Sequence, residues 1–359
     1  MDIEVFRRRS AIQYESYDIL DSFTSLIVNE RFIKENDFAI KLPLAKRFVS
    51  LLVPDTVLFI DGCYYYIDDA HCDDANSKIW DVSGRSLYGK AETRIINRIY
   101  NKTRRPELIC YDHLNNELVA PSDTRRRVDY LKVIQPGALT TANIQYQNSY
   151  GNVYEEITAL CDTYGFGFRE VPISISQVGS TVEFYAGRDL SDIVEFKSEY
   201  DNLLNERYEN NNYDEMTTAV VFGEGEGSAR KSVVVNGALT GLDRKELMVD
   251  ARDLQQTVDD VKMSDSEYLA LLNERGTSKL TEYQKILLLS GDINVNDSLF
   301  VYGDDYQLGD RLRISSELFQ LTKTGVLMEM EKSWDEKGFT MTPTFDKESP
   351  TIKDLINRK

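Results

Sequence analysis

The stretch from Phe184 to Leu254 most limits what this chain can fold into. It reads FYAGRDLSDIVEF, an Asn/Glu-rich break, TTAVVFGEGEGSARKSVVV and then TGLDRKELMVDARDL. Short β-branched runs alternate with turns that carry Gly and Asp. Branched side chains suit a pleated surface, and glycine accepts the positive φ of a tight turn, so the pattern predicts strands and hairpins. No nucleophile with a base, no ligand cluster and no phosphate loop lies within it. A long ordered segment without a reagent points to a chain built to be assembled.

The chain's 359 residues are enough for two or three domains with a sizeable core, and 42% hydrophobic residues support a folded protein. No window supplies the roughly 20 apolar residues that a membrane-spanning helix needs. The opening MDIEVFRRRSAIQYESYDIL puts charge where a signal peptide needs an apolar core, which predicts a cytoplasmic start. Four irregularly spaced cysteines (Cys63, Cys72, Cys110, Cys161) imply no disulfide framework. A net charge of −18 argues against a sequence-specific nucleic-acid binder, because phosphate neutralisation needs clustered Lys and Arg. The basic runs Arg7–Arg9, Arg104–Arg105 and Arg125–Arg127 lack interleaved aromatics, so no single-strand stacking platform is expected.

Along the chain the predicted class is α+β: two β-barrel-like units, a mixed α/β lobe and a helical insertion. The first β unit spans residues 1–100. Val57–Ile60 and Cys63–Ile67 flank Asp61-Gly62, a strong hairpin signal, and a third strand is expected at Lys78–Val82. Ile95, Ile96, Ile99 and Tyr100 then predict a helix. The mixed lobe spans 101–215. It holds a helix at Val153–Tyr164 with Asn152 as N-cap, Glu155 at the capping-box position and Gly165 beyond its end. Strands follow at Gly167–Ile175 and Thr181–Tyr185, and the polar tract Asn202–Asp214 reads as a loop. The second β unit spans 216–335. Ala219–Phe222 and Ser232–Val235 flank a glycine turn, and a helical insertion covers about 251–289 with a Ser264/Glu267 capping box. Strands at Leu299–Val301, Leu312–Ile314 and Val326–Glu331 complete it. Residues 336–359 form a tail ending in a short helix, with Ser349 as N-cap, Pro350 next, and Ile352, Leu355 and Ile356 on its apolar face.

Each candidate for chemistry reads better as structure. GEGEG at Gly223–Gly227 lacks the Lys-Ser/Thr ending of a phosphate loop, and its glutamates repel phosphate. His71-Cys72-Asp73-Asp74 scatters its side chains to opposite faces and has no second ligand pair. Asp292-Ile-Asn294-Val-Asn296 begins like a calcium loop, but Asp297 stands where the glycine belongs and Gly303 where the glutamate belongs. Tyr302–Asp310 reads as an acidic turn. With two histidines and no G-x-S-x-G or H-E-x-x-H, no triad or zinc protease is expected. No catalytic, metal-binding or cofactor-binding residue is therefore assigned, and no cofactor is expected.

The Phe184–Leu254 stretch, with MDIEVF, WDVSGRSLYGKAETRII (Trp80–Ile96), ITALCDTYGFGFR (Ile157–Arg169) and YQLGDRLRI (Tyr306–Ile314), resembles the hub proteins of siphophage tail tips. These are the structural N-terminal parts of tail-associated proteins from phages and prophages of Gram-positive bacteria. The resemblance implies two barrel-like hub domains with smaller α/β lobes. It also implies a homotrimeric ring at the virion tail tip, assembled in the bacterial host cytoplasm. The implied partners are the tail tube, a distal tail protein and a tail fibre or receptor-binding protein. The charged turns GRDLS and GLDRKEL are expected at the joints between lobe and second barrel. Two rival readings are a cell-wall-degrading tail enzyme, as a peptidoglycan hydrolase or endopeptidase, and a carbohydrate-binding module suggested by 21 tyrosines.

Overall fold

The computed structural model describes residues 2–10, 13–74, 76, 78–258, 260–294 and 299–346. Seven strands open the chain: β1 (Ile3–Ser10), β2 (Gln13–Leu20), β3 (Ser25–Arg31), β4 (Asp37–Pro43), β5 (Val57–Ile60), β6 (Cys63–His71) and β7 (Ile79–Ser86). Helix α1 (Lys46–Leu51) sits between β4 and β5. The lobe follows with β8 (Ile99–Arg104), α2 (Pro106–Leu114), β9 (Leu131–Val133), β10 (Ile144–Ser149), α3 (Val153–Tyr164), β11 (Gly167–Pro172) and β12 (Ser180–Tyr185). Next come β13 (Glu195–Lys197) and β14 (Leu203–Asn211). A small unit holds β15 (Thr218–Phe222), β16 (Ser232–Val235), β17 (Glu246–Asp250), β18 (Thr257–Val258), β19 (Val261–Lys262) and α4 (Asp265–Thr281). The chain then returns with β20 (Ile286–Ile293), β21 (Arg311–Ser316), β22 (Leu321–Asp335) and β23 (Gly338–Phe345).

The α+β class holds, with strands dominating. The two β units are not separate barrels. Thirteen strands form one sheet in the order β14-β20-β23-β22-β3-β4-β7-β6-β5-β1-β2, with β21 on β22 and β13 on β21. The units meet where β22 pairs antiparallel with β3, from Trp334 opposite Leu26 to Glu329 opposite Arg31. No closed barrel forms among the described residues. One core lies within the first unit, around Ile3, Phe38, Leu58 and Tyr65. The largest joins the lobe to both units, from Phe6 and Phe32 through Ile157 to Phe345.

Signals carried by neighbouring residues are met. Asp61 and Gly62 have φ of 46° and 82°, the two positive values of a type I′ turn, and join β5 to β6. Asn152 accepts from the N–H groups of Tyr154 and Glu155, and Gly165 takes φ 69° beyond α3. Ser264 and Glu267 make a reciprocal capping box on α4. That helix buries Tyr268, Leu271, Leu272 and Leu280 on one stripe.

Five local expectations are corrected. Residues 95–100 are not helical: Ile96 and Tyr100 are buried while Ile95 and Ile99 are exposed, and β8 takes its hydrogen bonds from β10. The tract Asn202–Asp214 is not a loop, because β14 runs through it and pairs with β20. Its buried anchors are only Asn202 and Leu203, so a mostly polar strand carried no apolar alternation to read. The helical insertion is shorter than 251–289, since Ile286–Ile293 is a strand. Leu299–Val301 is not a strand, and residues 338–345 of the expected tail pair with β22 instead. The helix expected at 349–359 lies outside the described residues.

Candidate functional site

Three of the stretches that carry the tail-hub resemblance converge on one joint. FYAGRDLS supplies Tyr185, Gly187 and Arg188; YQLGDRLRI supplies Leu308–Arg311; ITALCDTYGFGFR supplies Gly167 and Phe168. Phe32, at the end of β3, lies among them. Its carbonyl accepts from Phe168 N–H, and its own N–H donates to the Met328 carbonyl. Its ring meets Tyr185 edge-on at 5.3 Å. First β unit, lobe and second β unit are thereby tied at one residue.

The ion pair beside it is built from both backbone and side chains. Asp310 is fully buried. Its Oδ1 accepts from the Arg188 backbone N–H at 2.7 Å, and its Oδ2 from Arg188 Nη2 at 2.6 Å and from Gln307 N–H at 3.0 Å. These hydrogen bonds hold the Arg188 guanidinium above its ordinary value. Arg311 N–H donates to the Arg188 carbonyl and Leu190 N–H to the Arg311 carbonyl, which makes a short ladder between the two turns. The approach is so close that a Cβ on Gly187 would stand 1.8 Å from the Gly309 carbonyl oxygen. Gly309 itself takes φ 86°.

A cleft of about 540 Å³ opens over this joint. Phe32, Val326 and Met328 give its apolar lining, and Arg188, Lys285, Arg311 and Lys323 face Asp162, Asp189 and Asp346 across it. Lys323 is held by Asp346 at 2.5 Å. The joint therefore offers paired charges and a fixed backbone crossing, a device for holding three parts in one geometry.

GEGEG is a turn: Gly223 N–H donates to the Lys231 carbonyl, Lys231 N–H to the Glu224 carbonyl, and Arg230 binds the Gly223 and Phe222 carbonyls. His71 bonds Asp69 at 2.6 Å on the exposed surface, and that bond raises its pKa. Among the described residues no three His, Cys, Asp or Glu side chains cluster to hold a metal. Asp292 accepts from Asn205 and Thr342, while Asn296 lies outside the described residues. GLDRKEL is not a joint between lobe and second unit: Gly241–Asp243 is a turn within the small unit that leads into β17, with Arg244 binding the Gly237 and Leu239 carbonyls. Among the described residues no helix is long and apolar enough to cross a membrane.

Sequence reasoning missed a second buried polar group on α2 and the turn after it. Glu107, His113 and Glu117 are almost wholly buried, and Asp112 nearly so. The basic runs supply their partners: Arg105 reaches Glu107 at 3.2 Å, Arg104 reaches Asp112 at 3.7 Å and Arg126 reaches Glu117 at 2.5 Å. These arginines neutralise internal carboxylates. His113 lies between Tyr100 and Tyr146 with ring centroids 4.7 and 5.8 Å away. Burial, helped by Arg98 and Lys102, pushes it down to about 3, so it is neutral. Nothing within the helix signals this, because every cationic partner comes from another segment.

The family model for the Siphovirus ReqiPepy6 Gp37-like protein matches residues 4–345. The chain belongs to that family. The same fold occurs in solved prophage tail proteins. The 43 kDa tail protein of prophage MuSo2 from Shewanella oneidensis is 11% identical, with TM-score 0.57 and coverage of 97% of this chain and 98% of the other. Prophage tail protein gp18 from Listeria monocytogenes is 13% identical, with TM-score 0.54 and 99% of both chains covered. A tail protein from Neisseria meningitidis is 13% identical, with TM-score 0.56 and 96% of both covered. No curated protein matches the sequence. The resemblance to siphophage tail-associated proteins is borne out for the family as a whole.

Proposed function

We propose that this family member is the hub of a siphophage tail tip, a homotrimeric ring that closes the distal end of the tail tube. It connects the tube to a distal tail protein and to a tail fibre or receptor-binding protein. The observation that carries this reading is the end-to-end match with the prophage tail fold, which leaves almost no part of either chain unpaired. The geometry supports it: two β units fused through β3 and β22 and locked to the lobe at Phe32 and Asp310 form one stiff body suited to ring building. Three copies then present six β units, the number that a sixfold tube requires. The free sheet edges β2 and β14 are the natural surfaces for neighbours. In this reading residues 1–100 and the strands after 285 are the ring-forming units, and the lobe and small unit stand outside them.

The role is structural rather than enzymatic. Its test is the native mass of the chain co-assembled with its tube and distal tail proteins: three copies per complex are expected, and one or two copies would contradict the ring. A lytic band from the purified chain on a cell-wall zymogram would replace this reading with the hydrolase one.

A further inference from the structure

The β22–β23 hairpin ends in a built recess that the joint does not use. A two-residue turn, Glu336–Lys337, links Asp335 to Gly338, and Asp335 Oδ1 accepts from the Lys337 N–H at 2.7 Å. Next to the closing pair Asp335–Gly338, Trp334 pairs with Phe339, their rings stacked at 4.8 Å and 28°. On the other side Trp334 pairs with Leu26 of β3, and the chain entering β3 brings Phe23 and Thr24 alongside. All of these but Leu26 and Lys337 line an open cleft of about 500 Å³.

We propose that this cleft is a saccharide-binding site. Its lining combines three aromatic side chains, Phe23 and Trp334, which also pack against the first unit's core, and the more exposed Phe339, with the polar Thr24, Asp335 and Glu336. That combination matches a pyranose, whose C–H face packs on aromatic rings while its rim hydroxyls donate to carboxylates. Phe339 is 37% exposed, which leaves an aromatic edge open to a ligand. Glu336 is exposed and makes no hydrogen bond or ion pair among the described residues, so its acceptors are open. The two carboxylates repel anionic ligands, which selects a neutral glycan. The frame is rigid: a tight hairpin turn and two flanking pairings fix the rings before any ligand arrives, so little ordering cost attends binding. This inference does not rest on the hub reading, since a ring hub works with or without it.

The chain has two tryptophans, Trp80 and Trp334, so fluorescence reports on the site directly. Titration of the full chain with an N-acetylglucosamine tetramer, and separately with a glucose tetramer, is expected to shift Trp334 emission saturably with at least one of them. Phe339→Ala is expected to weaken that binding about tenfold and Glu336→Gln roughly fivefold. Trp334→Phe keeps an aromatic wall and is expected to abolish the optical response while calorimetry still detects binding. No response to either tetramer overturns the proposal, as does a full response in Trp334→Phe. A response to tetramethylammonium without one to the tetramers also overturns it, by making the cleft a cation site. Glu336 is exposed on the turn, so its variant folds and keeps the test valid if Phe339→Ala does not.

Discussion

The small unit of residues 216–283 and the joint at Arg188–Asp310 hold together in opposite ways. The small unit is local. Its core of Ala219, Val221, Val235, Val249, Tyr268 and Leu272 is drawn from about sixty consecutive residues and is separate from the other two cores. It enters from β14 and leaves into β20, which pair with each other, so it is carried on a two-stranded stalk. Its contact with the lobe is polar where Gln147 exchanges hydrogen bonds with Gln255. The joint is non-local: Phe32, Gly187 and Asp310 are distant in sequence, and each is fixed by the others. The small unit therefore draws its core from one stretch of chain, whereas the joint exists only when three distant stretches meet.

Substitutions break this comparison from the joint downwards. Gly187→Ala is expected to have the largest effect, because its Cβ collides with backbone rather than a movable side chain. A loss above about 4 kcal/mol, seen as insoluble or non-cooperatively melting protein, is predicted. Asp310→Asn removes a buried charge that four donors share, and urea denaturation should show a loss of about 3 kcal/mol.

Glu170 on β11 gives a pH-dependent version of the same point. Burial raises its carboxyl to about 7, opposed by Ser86, Tyr88 N–H and Ser180 and reinforced by Glu35. A raised folded-state pKa means the protonated form is the one that the fold holds. That contribution is complete below the ordinary carboxylate value and is lost as pH rises through about 7. Glu170→Gln should therefore gain about 2 kcal/mol over the parent at pH 8 and little at pH 4, read from paired thermal melts.

Ser264→Ala in the capping box is expected to cost only about 1 kcal/mol. Hydrogen exchange should place that loss in α4 and its sheet, with β11, β12 and β22 unchanged. Faster exchange across the whole molecule would show the small unit to be part of the frame.

This contrast also explains what the sequence disclosed. The β5–β6 hairpin, the ends of α3 and the α4 capping box were legible because each signal lies within a few residues of what it shapes. The turn at Gly223–Gly227 was legible for the same reason. Strand β14 was not, since its partner β20 lies about eighty residues on, and its apolar residues Leu203, Leu204 and Tyr208 do not alternate between a buried and an exposed face. The continuous sheet was hidden because β3 and β22 sit at opposite ends of the chain. The motifs that form the joint were visible as strings, but the pairing of Arg188 with Asp310 spans 122 residues and has no local signature. The buried carboxylates of α2 and the turn after it had no local signature either, because their arginine partners include Arg126 from another segment.

The most direct test of the account is cryo-electron microscopy of an intact siphophage tail carrying this chain. The hub reading predicts three copies in a closed ring at the distal end of the tube, with β2 and β14 at the contacts between neighbours. Density for the chain elsewhere along the tail, or a copy number other than three at the tip, would contradict it.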